Sequence, residues 1–175
     1  MRAALRLTAT AGLVATALTA GAVAASAAPA TAHRASVPTL VSRCTGSAIA
    51  VRTTARARLV AELACVRKVD GLRPLAVSAS VGRLATSWAQ HIAANGALSH
   101  NLQLGTALTS VAPDWTDTGE TVGTSSGSVD LIVAAYMHST EHRSIILDPH
   151  LHVVGIGLIR SGGAYWNTLD LVDRV

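Results

Sequence analysis

The first helical pattern lies between Thr54 and Gly71. Its apolar residues Leu59, Leu63 and Val66 recur at i, i+4 and i+7, which is the spacing of one face of an α-helix. The pattern begins at Thr54, and Gly71 ends it. The spacing therefore predicts one amphipathic helix, followed by a turn at the sequence GLRPL, residues 71–75.

A second helical pattern follows this turn. It begins near Ser78 or Ser80, because serine is favoured at the N-cap of a helix. Gly96 ends the pattern, as glycine often does at the C-terminus of a helix. The apolar face of this predicted helix comprises Val81, Leu84, Ala85, Trp88 and Ile92.

Residues 101–127 are polar and rich in Thr, Ser, Asp and Gly. We expect a long loop here, and such a loop in a small domain is usually functional or mobile. Ser128 is predicted to be the N-cap of a third helix. The short helix predicted after it has an apolar face of Leu131, Ile132, Ala135 and Tyr136.

Two β-patterns follow the third helix. Residues 152–159 (HVVGIGLI) and 164–172 (AYWNTLDLV) are rich in β-branched or aromatic side chains. The sequence Ser161-Gly162-Gly163 between them predicts the turn of a hairpin. The predicted order is helix, helix, loop, helix, strand, strand, which favours an α+β fold whose helices pack against an antiparallel sheet.

Residues 1–32 have the layout of a secretory signal peptide. Arg2 and Arg6 precede an apolar stretch over 7–25, and small-residue patterns place the cleavage near residue 27 or 32. A membrane anchor is the alternative, but this stretch is rich in Ala and Thr, and no later stretch is apolar enough to span a membrane. We expect a secreted protein with an N-terminal arm at 33–50 and one domain at 51–175.

The charge balance argues against a nucleic-acid partner. The chain has 14 Lys and Arg against 10 Asp and Glu, a formal net charge of +4. Removing Arg2 and Arg6 with the signal peptide leaves 14 − 2 = 12 against 10, which is +2. A nucleic-acid surface needs more positive charge and more interleaved aromatic residues. We expect no nucleic-acid partner and a monomer.

The chain contains two cysteines, Cys44 and Cys65. In a secreted protein this number favours one disulfide, and Cys65 lies off the apolar face of its helix, where it can reach a flanking segment. Two free, buried thiols are the alternative. A metal site is less favoured, because the sequence has no C-x-x-C spacing.

The sequence from His138 to His142 matches H-x-x-E-H, an inverted zinc-protease motif with Glu141 as the base. A catalytic zinc site needs a third protein ligand. After His142 the acids are three Asp and no Glu, and Ser139 and Thr140 are poor helix formers inside the motif. We therefore interpret the match as coincidental.

Five segments carry a further signal, in order along the chain. They are LVAELACVRKVDGLRPL (59–75), LATSWAQHIAANGALSHN (84–101), TGETV (118–122), YMHSTEHRSIILDPHLHVVGIGL (136–158) and YWNTLDL (165–171). Together they resemble the bacterial branch of the CAP superfamily, which comprises cysteine-rich secretory proteins, antigen 5 and plant pathogenesis-related 1 proteins. The resemblance covers nearly all of the predicted folded part.

The resemblance implies an α-β-α sandwich with a central antiparallel sheet. It also implies a cleft lined by two histidines and two acids. The histidines correspond to His100 and His142, and one acid corresponds to Glu120. Ser139 stands at the position of the second acid, so that the cleft keeps three of the four groups.

Two functional classes follow from this cleft. Two imidazoles and a carboxylate suit a divalent metal such as zinc, with His100, His142 and Glu120 as ligands; alternatively, they hydrogen-bond one another and order the loop. The resemblance also implies a small apolar or lipid ligand. We expect a secreted binding module. The alternative is a metal- or His-dependent hydrolase, for which Ser139 and His142 form no nucleophile elbow.

Overall fold

The computed structural model describes residues 4–5, 35–48 and 54–174. Of the predicted signal peptide only residues 4–5 are described, and of the predicted arm residues 35–48 are described; the rest of both lies outside the described residues. The helices are α1 (Val37–Cys44), α2 (Ala55–Val69), α3 (Ala79–Asn95), α4 (Leu104–Leu108), α5 (Val129–His138) and α6 (Thr140–Ile146), with a 3₁₀ turn at Gly46–Ala48. The strands are β1 (Ala4–Leu5), β2 (Ala76–Val77), β3 (Asp117–Ser125), β4 (Val153–Ser161) and β5 (Ala164–Val172).

The strands form one sheet in the order β1-β3-β5-β4-β2. The three long strands are antiparallel, with β5 between β3 and β4. The two short strands pair in parallel at the edges. The predicted hairpin between β4 and β5 is confirmed, and Gly162 and Gly163 both adopt the left-handed backbone that its tight turn requires.

Helices cover both faces of the sheet. On one face, Val154 of β4 and Leu171 of β5 belong to a core that includes residues of α1, α2, α5 and α6. Their neighbours Val153 and Val172 point the other way, because side chains alternate along a strand, and they pack with Val81 of α3 and with α4. This arrangement confirms the predicted α-β-α sandwich with its central antiparallel sheet.

The predicted helix ends are confirmed at α2 and α3. Thr54 caps α2 by accepting a hydrogen bond from the Ala57 amide at 3.3 Å. Ser78 caps α3, and Gly96 ends it in the left-handed conformation. The predicted apolar face of α3 is less accurate than its ends, because Leu84 and Trp88 are only half-buried.

In α5 the predicted apolar face is wrong at two of four positions. Leu131 is 58% exposed and Ala135 is exposed, whereas Val133 and Met137 are buried. Most of the residues of this helix are apolar, so periodicity alone does not select the buried face. Packing against α2 and the sheet makes that selection.

Two segments predicted to be irregular are ordered. The predicted 101–127 loop contains α4 and the nine-residue strand β3. The predicted N-terminal arm contains α1, which Ser36 caps. The pattern missed β3 because its sequence, DTGETVGTS, is polar, although six consecutive residues of the strand are buried.

The disulfide between Cys44 and Cys65 is confirmed. It joins the end of α1 to α2 and closes a loop with a sequence separation of 21 residues. In the chain-entropy description, a loop of this size stabilises the folded state by about 3 kcal/mol.

Candidate functional site

The predicted cleft residues come from three separate elements. His100 follows the end of α3, Glu120 lies in the middle of β3, and His142 lies in the first turn of α6. β3 is the outermost of the three long antiparallel strands and contacts both α5 and α6, and Glu120 on this strand contacts the chain that follows α3.

Glu120 holds His100 in a fixed position. The Oε1 atom of Glu120 lies 2.8 Å from Nδ1 of His100 and also accepts the backbone N–H of Asn101 at 2.8 Å. The His100 side chain is 44% exposed, whereas that of Glu120 is 6% exposed. The hydrogen bond to Glu120 raises the pKa of His100. Nε2 is therefore the ring nitrogen left for a ligand.

His142 lies against the aromatic ring of Tyr136. The two rings meet edge to face with their centroids 5.1 Å apart. The Tyr136 hydroxyl is buried and donates a hydrogen bond to Asn167 at 2.9 Å, which holds the tyrosine in place. Burial lowers the pKa of His142, and the positive charge of His100 lowers it further. The two predicted histidines are thus close enough for their charges to interact.

Small residues in β3 make room for these contacts. A Cβ atom added to Gly123 would lie 2.8 Å from the Tyr136 hydroxyl oxygen. One added to Gly119 would lie 2.7 Å from the Ile145 side chain of α6. The glycines on either side of Glu120 therefore let α5 and α6 approach the strand.

Ser139, the fourth predicted cleft residue, lies between two helices. It ends α5 and also caps α6, accepting the backbone N–H of His142 at 3.3 Å and donating to Glu141 at 3.0 Å. His138 and His142 consequently lie on different helices, not on one helical face. This break differs from the single helix on which such a motif would place its two histidines.

The predicted set of three metal ligands, His100, Glu120 and His142, stays a prediction. The Oε1 atom of Glu120 already forms hydrogen bonds with the His100 ring and with the backbone N–H of Asn101. Its Oε2 atom is buried and has no hydrogen-bond partner. Among residues 4–5, 35–48 and 54–174, no group of three or more His, Cys, Asp or Glu is arranged to hold a metal ion. The cleft offers two imidazoles, with Glu120 behind one of them.

Sequence reasoning missed Asp170, which lies behind the cleft. It is directly opposite Glu120 in the pairing of β3 with β5 and is fully buried. Both of its carboxyl oxygens and Oε2 of Glu120 lack hydrogen-bond partners. Burial raises the pKa of Asp170 well above its ordinary value, and the charge of Glu120 raises it further. A lone acid between Leu169 and Leu171 in an apolar strand was the available sequence signal.

The comparisons with known proteins agree with this fold. A family model for the cysteine-rich secretory protein family, CAP, matches residues 56–169. Among solved structures, an extracellular protein containing a SCP domain from Bacillus anthracis str. Ames superposes with a TM-score of 0.60 at 17% identity, over 67% of this chain and 40% of that one. No curated protein matches the chain in sequence.

Two further structures are similar. A cysteine-rich secretory protein from Staphylococcus aureus subsp. aureus Mu50 gives a TM-score of 0.58 at 20% identity, over 69% of this chain and 38% of that one. An outer surface protein from Borrelia burgdorferi gives 0.61 at 17% identity, over 69% of this chain and 93% of that one. The chain spans about two fifths of the Bacillus and Staphylococcus proteins, and identities this low support a shared fold only. Because the family model matches most of its folded part, the chain belongs to the cysteine-rich secretory protein (CAP) family.

Proposed function

We propose that this chain is an extracellular binding module, which holds a small ligand with an apolar body and an acidic head at the cleft of His100 and His142. The predicted signal peptide and the disulfide support an extracellular location. The described residues include no helix both long and apolar enough to span a membrane. Two of the similar structures are of proteins described as extracellular or outer-surface.

The observation that carries the proposal is the contact between His100 and Glu120. It favours the protonated imidazole of His100, while burial favours the neutral imidazole of His142. The cleft therefore presents one imidazole whose cationic form is favoured beside one whose neutral form is favoured. A ligand carboxylate would gain a charge-assisted hydrogen bond from Nε2 of His100.

Exposed apolar side chains next to this donor support an apolar ligand body. Leu98 and Leu102 lie two residues before and after His100, and they are 48% and 68% exposed. Large aliphatic side chains beside a few well-placed polar groups are typical of small-molecule sites. Covering one leucine would contribute about 1.5–3 kcal/mol.

The hydrolase alternative would use Ser139 as its nucleophile, and this hydroxyl is already hydrogen-bonded. The Ser139 hydroxyl donates a hydrogen bond to the Glu141 carboxylate and accepts one from the backbone N–H of His142. The second acid of the family cleft is also absent, because Ser139 occupies its position. We therefore propose binding without catalysis.

The test is a titration of the full chain with a fluorescent long-chain fatty acid. We expect saturable binding, weakened about tenfold or more by His100→Ala and by Leu102→Ser. His138→Ala and Leu131→Ser are the matched controls, since both residues are exposed outside the cleft, and they should leave the affinity unchanged. Binding should weaken as the pH rises through the raised pKa of His100, because the imidazole then loses its charge.

Two other assays on the same variants separate the alternatives. Calorimetric zinc binding that is lost in both His100→Ala and His142→Ala, without fatty-acid binding, would make the cleft a metal site and overturn the proposal. Turnover of a peptide or ester substrate that disappears in His142→Ala would make the protein a hydrolase.

A further inference from the structure

A cavity of about 450 Å³ lies apart from the cleft, at the C-terminal end of α2. Its walls are the turn after α2 and the loop that leads into β4. Three of its lining residues are basic, namely Arg67, Arg73 and His152, and none is acidic. None of the cleft residues lines it. Its volume lies in the range of small-molecule sites.

Arg67 builds both walls of this cavity, although its side chain is 2% exposed. The guanidinium donates to the carbonyl of Arg73 at 2.7 Å on one wall. On the other it donates to the carbonyls of Ile146, Asp148 and Leu151 at 2.7, 3.0 and 3.1 Å. Neutral carbonyls orient the guanidinium but leave its positive charge in place. The cavity thus has a fixed cationic wall.

The rim of the cavity is also rigid and basic. Arg73 and His152 are exposed, and Pro74 and Pro149 restrict the backbone beside them. The backbone of His152 bridges two strands, since its carbonyl accepts the N–H of Ala76 at 2.8 Å and its N–H donates to the carbonyl of Val172. The carboxylate of Asp148 is not part of the lining, but it accepts the N–H of His150 at 2.8 Å and its charge interacts with Arg67.

A second cavity, of about 470 Å³, shares His152 with the first. Its hydroxyl and carboxylate groups come from Thr116, Asp117 and Asp173, and its basic groups include Arg174. Asp173 accepts hydrogen bonds from the backbone and hydroxyl of Thr116 and from Arg174, and Asp117 accepts the N–H of the following residue. The acids of this cavity are therefore already bonded, and its surface suits a neutral polar group.

We propose that the first cavity binds a doubly charged phosphate group, and that a hydroxyl-rich remainder of the same small molecule extends into the second. Two arginines and a histidine without a lining carboxylate favour a dianion over a single carboxylate. The exposed Arg73 can bind phosphate oxygens with paired, charge-assisted hydrogen bonds, whereas Arg67 contributes its charge, because four of its five N–H groups already bind carbonyls. The class of ligand is a sugar phosphate or a similar phosphomonoester.

The experiment is calorimetry at low salt with inorganic phosphate and with glucose 6-phosphate. We expect both to bind, the sugar phosphate more tightly, and Arg73→Ala and His152→Ala each to weaken binding about tenfold or more. Arg67 is left intact, because its removal would disrupt both walls. Arg160→Ala is the matched control, since this exposed arginine stacks on Tyr165 at the far end of β4.

The outcomes distinguish this site from the cleft. His100→Ala should not change phosphate binding, whatever it does to the fatty acid. Absence of binding, or equal weakening by Arg160→Ala and Arg73→Ala, would overturn the proposal, because a general positive charge would then explain the result. Equal affinity for phosphate and glucose 6-phosphate would overturn the role of the second cavity.

Discussion

Asp170→Asn should stabilise this protein, and the gain should grow with pH. Asp170 is fully buried, neither of its carboxyl oxygens has a hydrogen-bond partner, and burial together with the nearby charge of Glu120 raises its pKa. The unfolded chain ionises this carboxyl above about pH 3.8, while the folded protein keeps its proton. Each further pH unit then favours the unfolded state by about 1.4 kcal/mol, until the folded carboxyl also ionises.

The carboxamide of asparagine has the same shape and no ionisable proton. As the pH rises above about 3.8 towards the raised pKa of Asp170, the difference in unfolding free energy between variant and wild type should therefore grow. The assay is urea denaturation of both proteins at several pH values across this range. Glu62, whose pKa burial raises to about 8, adds its own pH dependence to both proteins, so only the difference between them tests Asp170.

Asp173→Asn is the matched control on the same segment. Asp173 accepts hydrogen bonds from Thr116, Asp117 and Arg174, which lower its pKa despite its burial. Its replacement should destabilise the protein at neutral pH, and this loss should disappear as the pH falls. If the Asp170→Asn and wild-type stability curves run parallel, the reasoning is refuted, because Asp170 would then have its ordinary pKa in the folded state.

Further predictions concern the cleft, the sheet and the disulfide. Glu120→Gln should lower the pKa of His100 towards 6.5, as measured by NMR titration, and an unchanged pKa would contradict the role given to the carboxylate. Gly157→Ala should destabilise the fold by about 1–3 kcal/mol or more in denaturant, because the added methyl group would collide with the backbone carbonyl of Ala85. Gly105→Ala is its control, since a methyl group there makes only an ordinary contact. Reducing the disulfide should lower the unfolding free energy by about 3 kcal/mol, as compared in denaturant with and without reductant.

The helices and the hairpin were predictable because their signals are local. Thr54, Ser78 and Gly96 act within one turn of the helix ends that they form. The two glycines of the β4–β5 turn form the connection between strands that follow each other directly in the sequence. The identity of the cleft residues came from a resemblance of motifs, and the structure brings His100 to Glu120 as that resemblance implies.

The sequence pattern did not predict β3, because this strand is not stabilised by an apolar face of its own. It pairs with β5 from Thr118 to Ser125, and its glycines leave room for Tyr136 and Ile145 of the helical layer. A polar segment of this kind becomes a strand only when the neighbouring strand supplies its hydrogen-bond partners.

The sequence by itself determined the α+β class, the starts of α2 and α3 and the hairpin, because capping and turn formation depend on residues a few positions apart. Only the tertiary structure decided that His142 packs on Tyr136 instead of sharing a helix with His138, and that Glu120 has Asp170 behind it. These relations join distant parts of the chain. They depend on strand register and on how closely the helices approach the sheet, which no short stretch of sequence encodes.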